Sequence, residues 1–223
     1  MSTLELLREQ IAANRRAYQV TVALVVAALA VLGLLVTLAL GLGERAALRD
    51  AGAQQADPAR WPRYANLVEG LSRAAGLPMP RLYVADSDAA NAFSVGRDPE
   101  RSALVVTTGL LGGLNRVELE GVLAHELNHI WSWGARLATL GVALGRVPGL
   151  LRLLAPPRRE FDADEGGARL TRYPPGLVSA LRKLAQLPGQ PPDRPGLRHL
   201  WIIAPGDATH PPVDERIAAL QEL

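Results

Sequence analysis

The sequence predicts a predominantly helical α+β domain with a small antiparallel sheet, preceded by one N-terminal transmembrane helix. Three observations carry that prediction. Residues 18–42 hold no charge and are apolar almost throughout. Stretches of strand character cluster between residues 81 and 107. Elsewhere apolar residues recur three and four apart, the period of a half-buried helix. On this reading the chain divides into a tail and anchor over 1–43, a connector over 44–59 and a domain over 60–223, long enough for a core of its own.

The anchor is the clearest element. About 20 apolar residues suffice to cross a hydrocarbon core of about 30 Å, and residues 18–42 exceed the roughly 7–15 residues of a cleaved signal's apolar region. A single uncleaved span in the cell membrane is expected. Arg8, Arg15 and Arg16 before it face Arg45, Arg49, Arg60 and Arg63 after it, a balance too even to set the orientation.

Gly43 to Pro58 reads as a polar, Ala-rich connector. Tyr64, Leu67, Val68 and Leu71 then mark an amphipathic helix from Arg60 to Ala75, stopped by Gly76 and Pro78. Arg81–Ala85 has strand character, Asn91–Val95 less of it, and Ala103–Thr107 is β-branched and apolar, with turn residues between them. Val117, Leu119, Val122, Leu123, Leu127 and Ile130 define a second helix, with Asn115 as its N-cap and Glu118 three residues on.

From Trp131 to Leu154 the chain is apolar again, but Arg136, Arg146, Pro148 and Arg152 interrupt it. A second span is not expected there. Two readings stay open, a helical hairpin packed on the domain and one resting on the membrane surface. Pro156 and Pro157 open a helix through Glu160 towards Leu170, and Pro174 and Pro175 open another to Leu187. A Pro/Gly-rich loop follows, and a short helix runs from about Val213 to Leu223.

Composition narrows the chemistry. The net charge is +2 with basic residues scattered, so no nucleic-acid partner is expected. Cysteine is absent, which removes a disulfide framework, a thiol nucleophile and any thiolate metal site. A metal in this chain must be held by nitrogen and oxygen.

The sequence His125-Glu126-Leu127-Asn128-His129 lies inside the second helix. Residues four apart share one helix face, so both imidazoles can reach a single ion, and the pattern is that of a zinc site. Glu126 stands next to the first ligand, where it can take a proton from the water that a catalytic zinc activates. Such a site needs a third protein ligand and one open position. Glu160 is the candidate, because Arg159-Glu160-Phe161-Asp162-Ala163-Asp164-Glu165 falls on an expected helix. Asp164, one turn on, is placed to accept the outer N–H of a ligating histidine. The plain alternative is a solvated acidic surface.

Of the two other histidines, His199, in a loop-like stretch before Trp201, reads as structural or surface. His210 and Arg216 could each donate to a developing oxyanion, or could equally be a helix-start cap and a surface salt bridge. Asn91, Ala92 and Phe93, in the stretch Asn91 to Gly96, form either an ordinary core strand or a sheet edge able to pair with an extended substrate.

These motifs together resemble the HtpX-type membrane zinc endopeptidases, the family that also contains the type I CAAX prenyl protease. The resemblance is carried by residues 7–16, NAFSVG at 91–96, TTGLL at 107–111, ELEGVLAHELNHI at 118–130, REFDAD at 159–164 and THPPVDERIAAL at 209–220. It implies a zincin-like metalloprotease domain in which His125, His129 and Glu160 bind one Zn2+, Glu126 is the general base and Asp164 supports the site. It further implies a substrate-binding edge at NAFSVG, a segment from His210 to Arg216 closing over the cleft, quality-control cleavage of damaged membrane proteins, and a catalytic domain on the cytoplasmic side. The chain departs from the family's pattern in lacking a second span soon after the first, and in having a short, Arg-interrupted and Pro-broken region between the zinc helix and the third ligand where the family has two more spans.

The expected function is hydrolysis of internal peptide bonds in unfolded, damaged or membrane-proximal proteins, with protein or peptide substrates and the lipid bilayer as partners. The alternatives are a catalytically silent membrane scaffold and a zinc hydrolase of non-protein substrates.

Overall fold

In the computed structural model, residues 3–144, 150–187, 196–204, 206 and 209–223 are described. Arg146, Pro148 and most of the expected Pro/Gly-rich loop lie outside them. The chain forms two compact units, Met1–Leu38 and Ala39–Leu223.

The first unit is helical. It is the greater part of α1 (Thr3–Asp50), which over Ala13–Asp50 is long and apolar enough to cross a membrane. Val20, Leu24, Leu29, Leu32 and Leu35 all lie bare on its surface, which in water would be unfavourable for so many large apolar groups and in lipid is the favourable arrangement.

The second unit begins with the last turns of α1. The segment 44–59, expected as a connector, instead carries α1 on to Asp50 and then strand β1 (Ala53–Gln55). Packing explains the extension: Leu40 and Ala47 are buried in the domain, and Glu44 pairs with Arg81 at 2.6 Å. A helix end that has a partner does not fray at its last apolar residue.

Helix α2 (Pro62–Ala75) follows, closed by Gly76 in the left-handed conformation at φ 66°. Strands β2 (Arg81–Ala85), β3 (Ala92–Asp98) and β4 (Arg101–Thr107) complete a four-stranded sheet of order β1-β2-β4-β3. The sheet is mixed rather than antiparallel, because β4 inserts between β2 and β3 and runs parallel to β2, with Leu82 opposite Leu104 and Val84 opposite Val106. Strand propensity identifies segments but is silent on their order, which long-range packing selects. β4 is buried on both faces, as befits a central strand reading Ala-Leu-Val-Val.

Beyond the sheet come α3 (Thr108–Gly113), α4 (Arg116–Trp131), α5 (Gly134–Leu144), α6 (Leu150–Leu154), α7 (Arg158–Thr171), α8 (Pro174–Gln186) and α9 (Val213–Gln221), with a 3₁₀ turn at Arg198–Leu200. Strand alternation divides the apolar residues between two cores. Leu82, Val84, Leu104 and Val106 face a large core shared with α2, α4 and α8. Phe93, Val95, Ala103 and Val105 face a smaller one with the base of α1, α5 and Trp201.

Candidate metal centre

Helix α4 begins where the sequence places it. The Asn115 side chain accepts from Glu118 N–H at 3.0 Å and the Glu118 carboxylate accepts from Asn115 N–H at 2.9 Å, a reciprocal cap. Three turns on, His125 and His129 project from one face with ring centroids 4.7 Å apart and planes at 90°.

Helix α7 lies across that face. Its approach is set by two glycines: a Cβ at Gly167 would lie 2.8 Å from the backbone nitrogen of His125, and one at Gly166 would run into the Asn128 side chain. Asn128 reaches over to donate to the Asp162 carbonyl at 2.9 Å. At this distance Glu160 arrives between the histidines, its Oε2 at 3.4 Å from His125 Nε2 and its Oε1 at 3.4 Å from His129 Nε2.

The donor set fits a divalent ion. Ligand bonds of about 2.0–2.1 Å arranged tetrahedrally place neighbouring ligand atoms about 3.3–3.4 Å apart, close to the separations seen here. One ligand atom from each of His125, His129 and Glu160 lies within 4.8 Å of the other two, and all three residues are buried. His125 Nε2, Glu160 Oε2 and Glu126 Oε1 are buried with no hydrogen-bond partner among the described residues. The first two of these lie 3.4 Å apart, and buried polar atoms left without a hydrogen bond are costly unless something polar joins them.

Electrostatics sort the two imidazoles. Burial disfavours charge on His125, but the carboxylates of Asp164 and Glu160 outweigh it and raise its pKa to about 9. Burial lowers that of His129 to about 4, so it is neutral and ready to donate a lone pair. Burial also opposes ionisation of Glu160, yet the histidines and Arg159 hold it well below the usual carboxylate range. A metal ligand must be deprotonated, so His125 would have to release the proton that these carboxylates keep on it in order to hold an ion.

Glu126 is buried beside this cluster. Burial raises its pKa to about 7, against the pull of His125 and of a hydrogen bond from Ser94 Oγ to Oε2 at 2.8 Å. Its other oxygen is the unpartnered one.

Asp164 sits one turn after Glu160, its Oδ1 2.8 Å from His125 Nδ1. Arg216, expected as a surface ion pair or an oxyanion donor, is instead buried and committed. It donates twice to Asp164 at 2.7 Å and once to the Ile202 carbonyl at 2.7 Å. His210 has Nε2 3.9 Å from Glu160 Oε1 and Nδ1 3.1 Å from Thr209 Oγ1. His199 is buried, with Nε2 2.8 Å from the Ala138 carbonyl.

Asn91, Ala92 and Phe93 lie at the sheet's outer strand but are covered. Asn91 donates to the Ile203 carbonyl at 2.8 Å, Ala92 C=O accepts from Ile202 N–H at 2.9 Å, and Phe93 meets Trp201 edge to face at 4.8 Å. Gly96 N–H donates to Thr139 Oγ1 at 2.9 Å. The outer edge of β3 is therefore occupied by the segment 201–203 and by α5.

Two residues at the site escaped sequence reasoning. Ser94 stands in the NAFSVG stretch, but no spacing rule links a strand serine to a helix glutamate 32 residues away. Arg159 pairs with Glu160 at 3.0 Å and donates to the His199 carbonyl. Its adjacency to Glu160 is the signal that could have found it.

Two histidines one helical turn apart, a glutamate between them and a carboxylate from a second helix define the site of a zincin-like metallopeptidase. Comparison with known proteins agrees. The model of peptidase family M48 matches residues 58–144 and 135–223. A protease HtpX homolog of Dictyoglomus turgidum is 36% identical over a 226-residue alignment covering 79% of this chain and 74% of the relative. Protease HtpX homologs of Acidiphilium cryptum (36%, covering 82% and 81%) and Tropheryma whipplei (35%, covering 80% and 78%) are similarly related. The chain belongs to peptidase family M48 and is a protease of the HtpX type.

Proposed function

We propose that this protein is a membrane-anchored zinc endopeptidase that cleaves unfolded, damaged or membrane-proximal polypeptide, with α1 as a single-pass anchor. The observation that carries the proposal is the buried convergence of His125, His129 and Glu160 on one point, with the carboxylate of Glu126 alongside. Zinc bound by those three side chains supplies Lewis acidity, which lowers the pKa of a water molecule and polarises a carbonyl.

The chain's own residues do the rest. Glu126 Oε1 takes a proton from the attacking water and returns it to the departing amine, general base and then general acid, a task suited by a pKa near 7. Ser94 holds the other oxygen of that carboxylate, so Oε1 keeps a single aim. Asp164 fixes the tautomer and orientation of His125, and Arg216 fixes Asp164. His210 is positioned near the ligand carboxylate to donate to charge developing on the scissile carbonyl oxygen.

Substrate is proposed to bind extended along β3, at Asn91, Ala92 and Phe93. The register turns the Ser94 backbone towards the outer edge between the covered Ala92 and Gly96, so pairing along this strand displaces Ile202 and Thr139. Recognition of main chain rather than of one side chain suits unfolded substrates of varied sequence.

The test is purified full-length protein in detergent, wild type beside Glu126→Gln and Glu160→Ala, with metal content and casein cleavage measured in parallel. Wild type should carry one zinc and cleave; Glu126→Gln should keep zinc and lose cleavage; Glu160→Ala should lose both. Cleavage by Glu126→Gln would remove the assigned base, and a Glu126→Gln-like silence in the wild type would favour a scaffold.

A further inference from the structure

Helix α5 is built inside out for a helix bathed in water. Its buried face is made of Gly134, Ala135, Ala138, Thr139 and Gly141. The fit is close, since a Cβ on Gly141 would lie 2.7 Å from His199 Nε2. Val142 packs on the smaller core, but the leucines point the other way. Trp133 just before the helix, Leu137 and Leu144 are 47%, 43% and 40% exposed, and Leu140 between them is half-buried. Residues 133, 137, 140 and 144 are spaced four, three and four apart, which is one continuous face. Trp131, at the end of α4, is 55% exposed. Arg136 is the sole charged residue of α5 and lies over the Trp133 ring at 5.4 Å.

The position of this face in the domain names its occupant. The uncharged run of α1 ends at Leu42, and the next residue, Gly43, abuts the backbone carbonyl of Thr139 in α5, so closely that a Cβ would not fit. Leu40, inside the run, is already buried by the domain, while Leu42 beside it stays 63% exposed. A run of this length is used up in crossing about 30 Å of hydrocarbon. The end of the run, at residues 40–43, therefore falls where hydrocarbon gives way to headgroups, and α5 is the element packed against Gly43. Exposed tryptophan with an arginine beside it is the composition of that boundary, where an indole is half in lipid and a guanidinium reaches the phosphates.

We propose that the outward face of α5, with Trp133, Leu137, Leu140 and Leu144 as its contacts, lies in the interfacial layer of the bilayer that α1 crosses. The inference rests on the reading of α1 as a membrane anchor. It adds a second point of attachment, and two points fix the orientation of a domain where one leaves it free to swing. Thr139 of the same helix covers the Gly96 end of β3, so the strand proposed to receive substrate is held close to the lipid surface. Chains emerging from the bilayer thereby become the substrates nearest to it.

The chain contains no cysteine, so single-cysteine variants can be labelled at one place only. Leu137→Cys, Leu144→Cys, Leu32→Cys in the span and Val117→Cys at the start of α4 are each coupled to a nitroxide in the full-length protein. The protein is reconstituted in phosphatidylcholine–phosphatidylglycerol vesicles, and collision with oxygen and with a water-soluble nickel chelate is measured by electron paramagnetic resonance. Labels at 137 and 144 should favour oxygen over nickel, as the label at 32 does, while that at 117 favours nickel. Nickel-favouring labels at 137 and 144 with an oxygen-favouring label at 32 overturn the proposal and leave the anchor standing. Labels at 137 and 144 shielded from both reagents mean that protein, a second copy included, covers the face, which also overturns it. A nickel-favouring label at 32 overturns the anchor and this inference together.

Discussion

Arg216 and Asp164 are joined by two parallel hydrogen bonds, Nε to Oδ2 and Nη2 to Oδ1, each 2.7 Å, between side chains that are both buried. The pair links the last helix of the chain to the histidine helix, because Asp164 Oδ1 also lies 2.8 Å from His125 Nδ1. Removing one partner of a buried ion pair leaves an uncompensated charge and costs about 3–5 kcal/mol. Arg216→Ala should therefore lower stability by about that amount in urea unfolding followed by tryptophan fluorescence. Lysine presents one point charge where the guanidinium presents a fork, so Arg216→Lys should recover only a minor part. Full recovery by lysine would mean that the paired geometry is unimportant.

Gly167 governs the distance between the ligand helices. Alanine there places a methyl 2.8 Å from His125 N and 3.0 Å from its Cα, both backbone atoms with no freedom to rotate aside. Helix α7 must shift outwards, carrying Glu160 with it. Overpacking of this kind costs about 1–3 kcal/mol. Gly167→Ala should weaken zinc binding in competition with a chromogenic chelator, whereas Gly70→Ala on α2, where a Cβ meets nothing within 4 Å, should not.

Ser94 is expected to act through Glu126. A hydrogen bond to a charged group contributes about 1.5–3 kcal/mol, so Ser94→Ala should lower kcat roughly ten- to a hundredfold with KM and zinc content unchanged. Ser94→Thr keeps the hydroxyl and should restore most of the loss. An equal fall in both variants would trace the effect to strand packing instead.

Glu118 ties α4 to α8. Its carboxylate accepts from Asn115 N–H at 2.9 Å, Ser179 Oγ at 2.7 Å and Lys183 Nζ at 2.8 Å. Burial raises its pKa, but Lys183, Ser179 and Asn115 together bring it below the usual value. The unfolded chain therefore takes up a proton at higher pH than the folded one, and the stabilisation is present above about pH 4.3 and lost as pH falls through the folded value. Lys183 is half in solvent, which keeps the magnitude to about 1 kcal/mol. Glu118→Gln should be less stable than wild type by that amount at pH 7, and the two should converge as pH falls through the folded value.

Much of this protein is local and was legible in the residues. The turn-to-turn spacing of His125 and His129, the reciprocal cap of Asn115 and Glu118 and the placement of Asp164 one turn past Glu160 all follow from helix geometry, which repeats every 3.6 residues whatever surrounds it. The uncharged run of α1 follows in the same way from the thickness of a bilayer.

Tertiary structure alone decided the rest. That β4 lies between β2 and β3, that Arg216 turns inwards to Asp164, that Ser94 reaches Glu126 and that α5 covers the β3 edge are pairings across 32 to 52 residues of chain or choices among strands of similar propensity. No periodicity records such pairings. They are set by which surfaces can close together without voids or unpaired polar groups, a property of the whole packed chain and not of any stretch within it.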